Sequence, residues 1–233
     1  MLNITYEEIA NSVRVIDVTD QPADLEVAFA MVADGYSKLS SRPLRLQEVL
    51  AELCFDTYHN THRTRTLLAT GINANTGNVE PIGTIRMVLG ANSKINEGIP
   101  PLEVMSLVTP AAGWDNFTFE GFNPNLSAEF GRFVVVPAYR SLEARSKGYT
   151  FILCKSIFSK FVEVATHHNK NQFWALMPAS VISLLKLISI SVIPVPELSF
   201  NSDSHSELFN KYDRYWQHSK PWFYKFTLEK QEF

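Results

Sequence analysis

The chain has 233 residues, 21 Lys plus Arg against 24 Asp plus Glu, a formal net charge of −3, and 45% apolar and 19% charged residues. These values exclude a collagenous, coiled-coil or disordered chain, and the slight acidity speaks against a nucleic-acid partner, which draws a basic excess. A chain this long buries about 70% of its unfolded surface, so it needs no disulfide or metal to fold. Cys54 and Cys154 both sit in apolar runs and are expected to be free, buried thiols in a reducing compartment. The first residues carry Glu7, Glu8 and Arg14 and do not read as a signal peptide. The longest apolar stretch, 179–195, holds Lys186 and Pro194 and is too short and polar for a bilayer. The expected setting is cytoplasmic, with no transmembrane segment.

In chain order, Val13 to Val18 alternates as a short strand. Asp20 and Pro22 then open a helix to about Leu39, with Asp20 as the candidate N-cap and Leu25, Ala28, Phe29, Val32 and Tyr36 at helical spacing. Residues 40–56 are mixed. Residues 64–70 form a strand, 71–78 an Asn/Thr/Gly turn and 79–89 the returning strand of a hairpin. A Gly-, Pro- and Asn-rich loop fills 90–127. Residues 128–136 give the strongest strand, ended by Pro137, and a basic loop leads to a helix over 148–166. A strand over 172–177, an apolar helix over 179–190 and a strand from 192 follow. Residues 199–206 read as a polar linker, and the aromatic tail holds a last strand near 220–228. This order predicts a mixed α/β chain around a central sheet. The domain is expected over 1–198, with 199–233 as an extension that packs on it or completes it.

The stretch from Glu129 to Thr150, E-F-G-R-F-V-V-V-P-A-Y-R-S-L-E-A-R-S-K-G-Y-T, carries the chemistry. A strand runs into a basic loop, and Gly148 opens a helix where backbone can approach a ligand closely. The free N–H groups of a first helical turn favour an anion, and Arg145 and Lys147 add cations there. Phosphate is the natural occupant. From Arg132 to Lys160 there are six cations and the single anion Glu143.

V-V-V-P-A-Y-R followed by R-S-K-G-Y-T resembles the acyl-donor motif of the GNAT acyltransferase superfamily, with Arg145 and Gly148 matching and Thr150 where that motif has Gly or Ala. P-I-G-T-I-R-M-V (81–88), E-F-G-R-F-V-V (129–135), A-F-A-M-V-A-D-G-Y (28–36) and T-H-R-T-R-T-L-L-A-T (61–70) resemble the N-acyl amino acid synthases and, more distantly, the acyl-homoserine lactone synthases. The likeness covers roughly residues 25–195. It implies a GNAT-like fold: a central twisted mixed sheet with a splayed strand pair and helices on both faces. It implies transfer of a long-chain acyl group from acyl carrier protein, as an acyl-phosphopantetheine donor, to the amine of an amino acid or similar small molecule. The family's Glu-x-x-Arg pair falls on Glu129 and Arg132, and its strand arginine on Arg86. Backbone of Phe133, Val134, Val135 and Val136 would pair with the pantetheine, and Arg140, Arg145, Lys147, Gly148 and Tyr149 would hold its phosphate. The second aspartate of the lactone synthases is absent, because His59 stands three residues after Asp56, which disfavours lactone formation.

The chemistry also stands without the resemblance. A carboxylate such as Glu129 can take the proton of an attacking amine, and backbone N–H groups can stabilise the oxyanion. Plainer roles are an ion pair between Glu129 and Arg132, and one from Arg86 to Glu129 or Glu103. His167 and His168 read as helix C-terminal capping residues, and His59 and His62 lack further metal ligands. Phe117, Phe119 and Phe122 are candidates for an acyl tunnel. Two alternatives stay open: acetyl transfer from acetyl-CoA, or an inactive GNAT-like module that binds lipid or carrier protein. A homodimer is compatible with the aromatic tail.

Overall fold

The computed structural model describes residues 4–91, 99, 101–103, 122–195, 211–214 and 222–227. Thr5 and Glu8 form a reciprocal capping box that starts α1 (Tyr6–Ser12). Strand β1 (Arg14–Asp17) precedes α2 (Pro22–Ser37). Pro22 takes the first turn of α2, where its missing N–H costs nothing. The cap position is Gln21, not Asp20, because the Asp20 carboxylate pairs with Arg65 at 3.2 Å. The mixed segment resolves into α3 (Leu46–Leu53) and α4 (Thr57–Asn60), the latter capped by Asp56, which accepts from the His59 N–H at 3.0 Å. Strands β2 (Thr64–Ile72) and β3 (Val79–Leu89) form the expected hairpin.

Strand β4 (Ser127–Val135) follows, and the basic loop after it is in fact two short helices, α5 (Pro137–Arg140) and α6 (Leu142–Ser146). Pro137 starts the first, and the Ser141 hydroxyl caps the second by accepting from the Ala144 N–H at 3.0 Å. Next come α7 (Tyr149–His167), β5 (Gln172–Met177), α8 (Ala179–Leu187), β6 (Ile193–Pro194) and β7 (Trp222–Thr227). Helix α8 ends three residues before the expected 190 because Ser189 adopts a positive φ of 63°. Phe117 and Phe119 lie outside the described residues, as does the expected linker over 199–206.

The sheet has seven strands in the order β1-β2-β3-β4-β5-β7-β6. β1 through β4 pair antiparallel, β4 and β5 run parallel, and β7 returns antiparallel along all of β5. One face packs on α1 and α7, where Ile152, Leu153, Ile157, Phe158 and Phe161 meet Leu67, Ile85, Met87 and Phe130. Each such side chain contributes about 1.5–3 kcal/mol on burial. The other face carries α2 and α3, with Phe29, Val32, Val49 and Leu53 in one cluster and Ala28 against Leu68 in another. Cys54 and Cys154 are free and buried. No helix of the described residues is long and apolar enough to cross a membrane.

Candidate active site

Two irregularities of β4 make the site. The first is a splay. β4 pairs with β5 only through Ser127, Ala128 and Glu129, while β5 continues beside β7 to Met177. From Phe130 onward the two parallel strands part. The second is a bulge: Thr84 faces Val134 and Arg86 faces Gly131, so Arg132 and Phe133 together oppose Ile85. Arg132 sits at φ 52°, a backbone conformation unfavourable for a side chain other than glycine and concentrated at functional positions. In a regular strand, residues 129 and 132 point to opposite faces. The bulge turns Arg132 to the α2–α3 face that Glu129 and Gly131 share, while Phe133 packs on Phe158 of α7.

A cavity of about 960 Å³ fills the splay and reaches both faces of the sheet. On the α7–α8 side its wall is apolar, with Phe133, Phe151, Met177, Val181, Leu184 and Leu187; Arg140 and Arg145 also line it. On the α2–α3 side the wall is polar and aromatic, with Tyr36, Glu52, Asp56, Tyr58, Glu103, Glu129, Arg132 and Tyr212. Glu129, Arg132, Phe133, Val134, Val135, Arg140 and Arg145 are therefore brought to one cavity. Val136, Lys147, Gly148 and Tyr149 are not on its wall. Lys147 pairs with Glu143 one turn back at 2.8 Å. Gly148 is left-handed at φ 77° beneath the Tyr6 ring. Tyr149 is buried in the core and its hydroxyl donates to the Ile4 carbonyl. Thr150 lines the cavity, its hydroxyl donating to the Tyr139 carbonyl.

Arg86 stands behind the wall, with only 3% of its side chain exposed. It donates to the Leu53 carbonyl at 3.0 Å, to Asp56 at 2.7 Å and to Glu103. Glu103 also accepts from Arg132. Glu103 thus bridges the two guanidiniums. Burial pushes its carboxyl up, but Arg132 and Arg86 outweigh that and hold it below the ordinary 4.5. Burial works against the charge of Arg132, and Glu103 more than restores it. Arg132 lies over the Tyr36 ring, 5.8 Å from its centre, and burial keeps the Tyr36 phenol protonated. Glu129, 5% exposed, lies where its charge acts on Tyr58 and Arg63; burial first, then Glu129, raises the Tyr58 pKa. Cys154 also lines the cavity, but burial pushes its thiol up to about 12, so it carries little thiolate near neutral pH. No cluster able to hold a metal occurs among the described residues.

Sequence reasoning named Glu103 only as a partner for Arg86 and did not single out Glu52, Tyr58 or Tyr212. Glu103 follows a Gly- and Pro-rich stretch without periodicity, and Tyr212 lies in the extension, so neither carries a local signal.

No protein-family model and no curated protein sequence matches the chain. Solved structures do match it. The AHL synthase LasI aligns with a TM-score of 0.51 and 10% identity, over 93% of this chain and 89% of that one. An acetyltransferase from Streptococcus agalactiae aligns at 0.49 and 11%, over 93% and 99%. The putative acetyltransferase yncA from Salmonella typhimurium, solved with acetyl-CoA, aligns at 0.41 and 16%, over 95% and 96%. The splayed sheet between two helical layers is the GNAT fold. Within that fold, the chain resembles the AHL synthase in architecture over nearly its whole length.

Proposed function

We propose that the protein is an N-acyltransferase that moves a long acyl group from acyl carrier protein to the amine of an amino acid or similar small molecule. One observation carries the reading: a single cavity passes through the splay, apolar on one face and lined by a buried carboxylate on the other. Its volume lies at the upper end of small-molecule sites, about 300–1,000 Å³, and its apolar half suits an acyl chain. The phosphopantetheine arm would lie along the edge of β4 after Glu129, where strand pairing to β5 has ended. Arg140 and Arg145 would meet its phosphate. The exposed Leu142 beside them suits a protein partner, and the cations suit an acidic one.

The acceptor amine enters from the α2–α3 side and attacks the thioester carbonyl. The C–N bond forms, Glu129 takes the amine proton directly or through a water, and collapse of the tetrahedral intermediate breaks the C–S bond, the departing thiolate taking that proton back from Glu129 to leave as the thiol. Backbone N–H groups at the splay stabilise the oxyanion. Arg132, Arg86, Glu103 and Asp56 hold the acceptor side rigid. Residues 1–198 would form the acyltransferase domain, and the extension would complete it by placing β7 beside β5.

Extracts of cells overexpressing the protein, compared by mass spectrometry with the Glu129→Gln variant, test the proposal. An N-acyl amide present with the wild type and reduced roughly 100-fold in turnover with the variant supports it. An unchanged rate removes Glu129 from the mechanism. Product from acetyl-CoA and none from acyl carrier protein replaces the donor.

A further inference from the structure

On the α2–α3 side the cavity is lined by Tyr212, a residue of the extension rather than of the region that carries the family likeness. Tyr212 is 4% exposed and packs edge-on to Tyr36, with ring centres 6.2 Å apart and planes at 88°. Asp213 fastens the turn by accepting from the Ser41 N–H at 2.7 Å and from its hydroxyl. Two groups of this turn grip Glu52, near the end of α3. The Tyr212 hydroxyl donates to Oε2 at 2.8 Å, and Lys211 Nζ lies 2.9 Å from the same oxygen. Burial and Glu52 together raise the Tyr212 pKa, so the phenol keeps its proton and stays a donor. Both contacts use one oxygen. Glu52 lines the cavity, and among the described residues none donates to Oε1.

We infer that Glu52 is an acceptor-binding residue: Oε1 receives a second hydrogen-bond donor of the acceptor molecule, an ammonium, hydroxyl or amide N–H remote from the amine that is acylated. The inference rests on the acyl-transfer reading and narrows its acceptor to molecules with two such groups. Four observations support it. Glu52 lines the chamber, one carboxylate oxygen is occupied, its orientation is fixed by a phenol and an ammonium, and those two groups belong to a turn that is itself pinned to the chain after α2. Tyr212 is the positioning residue. It does not itself need to touch the acceptor.

Matched acceptors test this: lysine against norleucine, and 1,4-diaminobutane against butylamine, each with acyl carrier protein charged with a hexadecanoyl group. Wild type should favour the member with the distal ammonium by roughly tenfold or more in kcat/KM, as expected for a hydrogen bond to a charged group. Glu52→Leu should collapse that ratio to about twofold or less and change KM for the acceptor rather than for the donor. Tyr212→Phe keeps the ring, loses the phenol and should lower the ratio part way; it carries the test if Glu52→Leu does not fold. Wild type with no preference in either pair, or a preference that both variants retain, overturns the inference and leaves acyl transfer standing. Wild type that acylates no amine, whether from the charged acyl carrier protein or from acetyl-CoA, overturns the acyl-transfer reading and the inference with it.

Discussion

Replacing Glu103 with Gln tests the ion network directly. The carboxylate serves Arg86 and Arg132 at once, and their side chains are 3% and 17% exposed. Gln can accept from one guanidinium, but its NH2 then faces the other, donor against donor. Breaking a buried ion pair from one side costs about 3–5 kcal/mol, and the partial exposure of Glu103 places the loss near the lower figure, about 3 kcal/mol. In a protein of this size each kcal/mol lowers Tm by about 2–4 °C, so the variant should melt roughly 6–12 °C below wild type at pH 7. The gap should depend on pH. The Glu103 carboxyl titrates below the ordinary 4.5 in the folded state. Its contribution is therefore fully present above 4.5 and disappears as pH falls through the lowered folded value. Thermal unfolding followed by circular dichroism at pH 7, and in steps below pH 4.5, reads both effects. A variant melting within about 2 °C of wild type at pH 7 would refute the network as a stabilising element. A gap that does not narrow on acidification would refute its electrostatic origin.

Three further outcomes are expected. Arg145→Ala should raise KM for the donor several-fold, whereas Lys147→Ala should change it less than twofold, since Lys147 is paired with Glu143 off the cavity wall; equal effects in a donor titration would contradict that assignment. Val181→Trp should shorten the acyl chain found in the product, because Val181 lines the apolar half of the cavity; an unchanged chain profile by mass spectrometry would move the acyl group elsewhere. Cys154→Ser should retain turnover within about tenfold, since the thiol is protonated near neutral pH and no acyl-enzyme is required; complete loss in a well-folded variant would reopen covalent catalysis.

The elements with strong periodicity were legible in the residues. α7, β3 and β5 fall within a residue or two of expectation because apolar side chains recur at 3.6 or 2 residues and each element is bounded by a turn. The capping box of Thr5 and Glu8 was also in the sequence and marks α1, which the strand signal beside it overshadowed. The basic loop hid α5 and α6 because helices of four and five residues show less than two turns of pattern. For the site, the pairing of residues 129 and 132 could be noted, but their common face could not be derived from strand periodicity. It depends on a bulge at a non-glycine residue, which only the registers of neighbouring strands reveal. The network around Glu103 depends on contacts between residues 17 and 29 positions apart, for which there is no local signal.

The partner exchange of β5 sets an order on folding. Beyond its first three residues β5 has no neighbour in β4, and residues 175–177 gain their ladder only when 222–224 arrive. Contacts of such sequence separation form late, since a long loop must close before they add stability. A chain emerging from synthesis can assemble β1 to β4 with α2 and α7 while β5 still has an open edge. That half-built sheet presents a short apolar strand to any other chain until the last strand docks. Coexpressed chaperones, or slower synthesis of the stretch between β5 and β7, should therefore govern how much soluble protein is recovered.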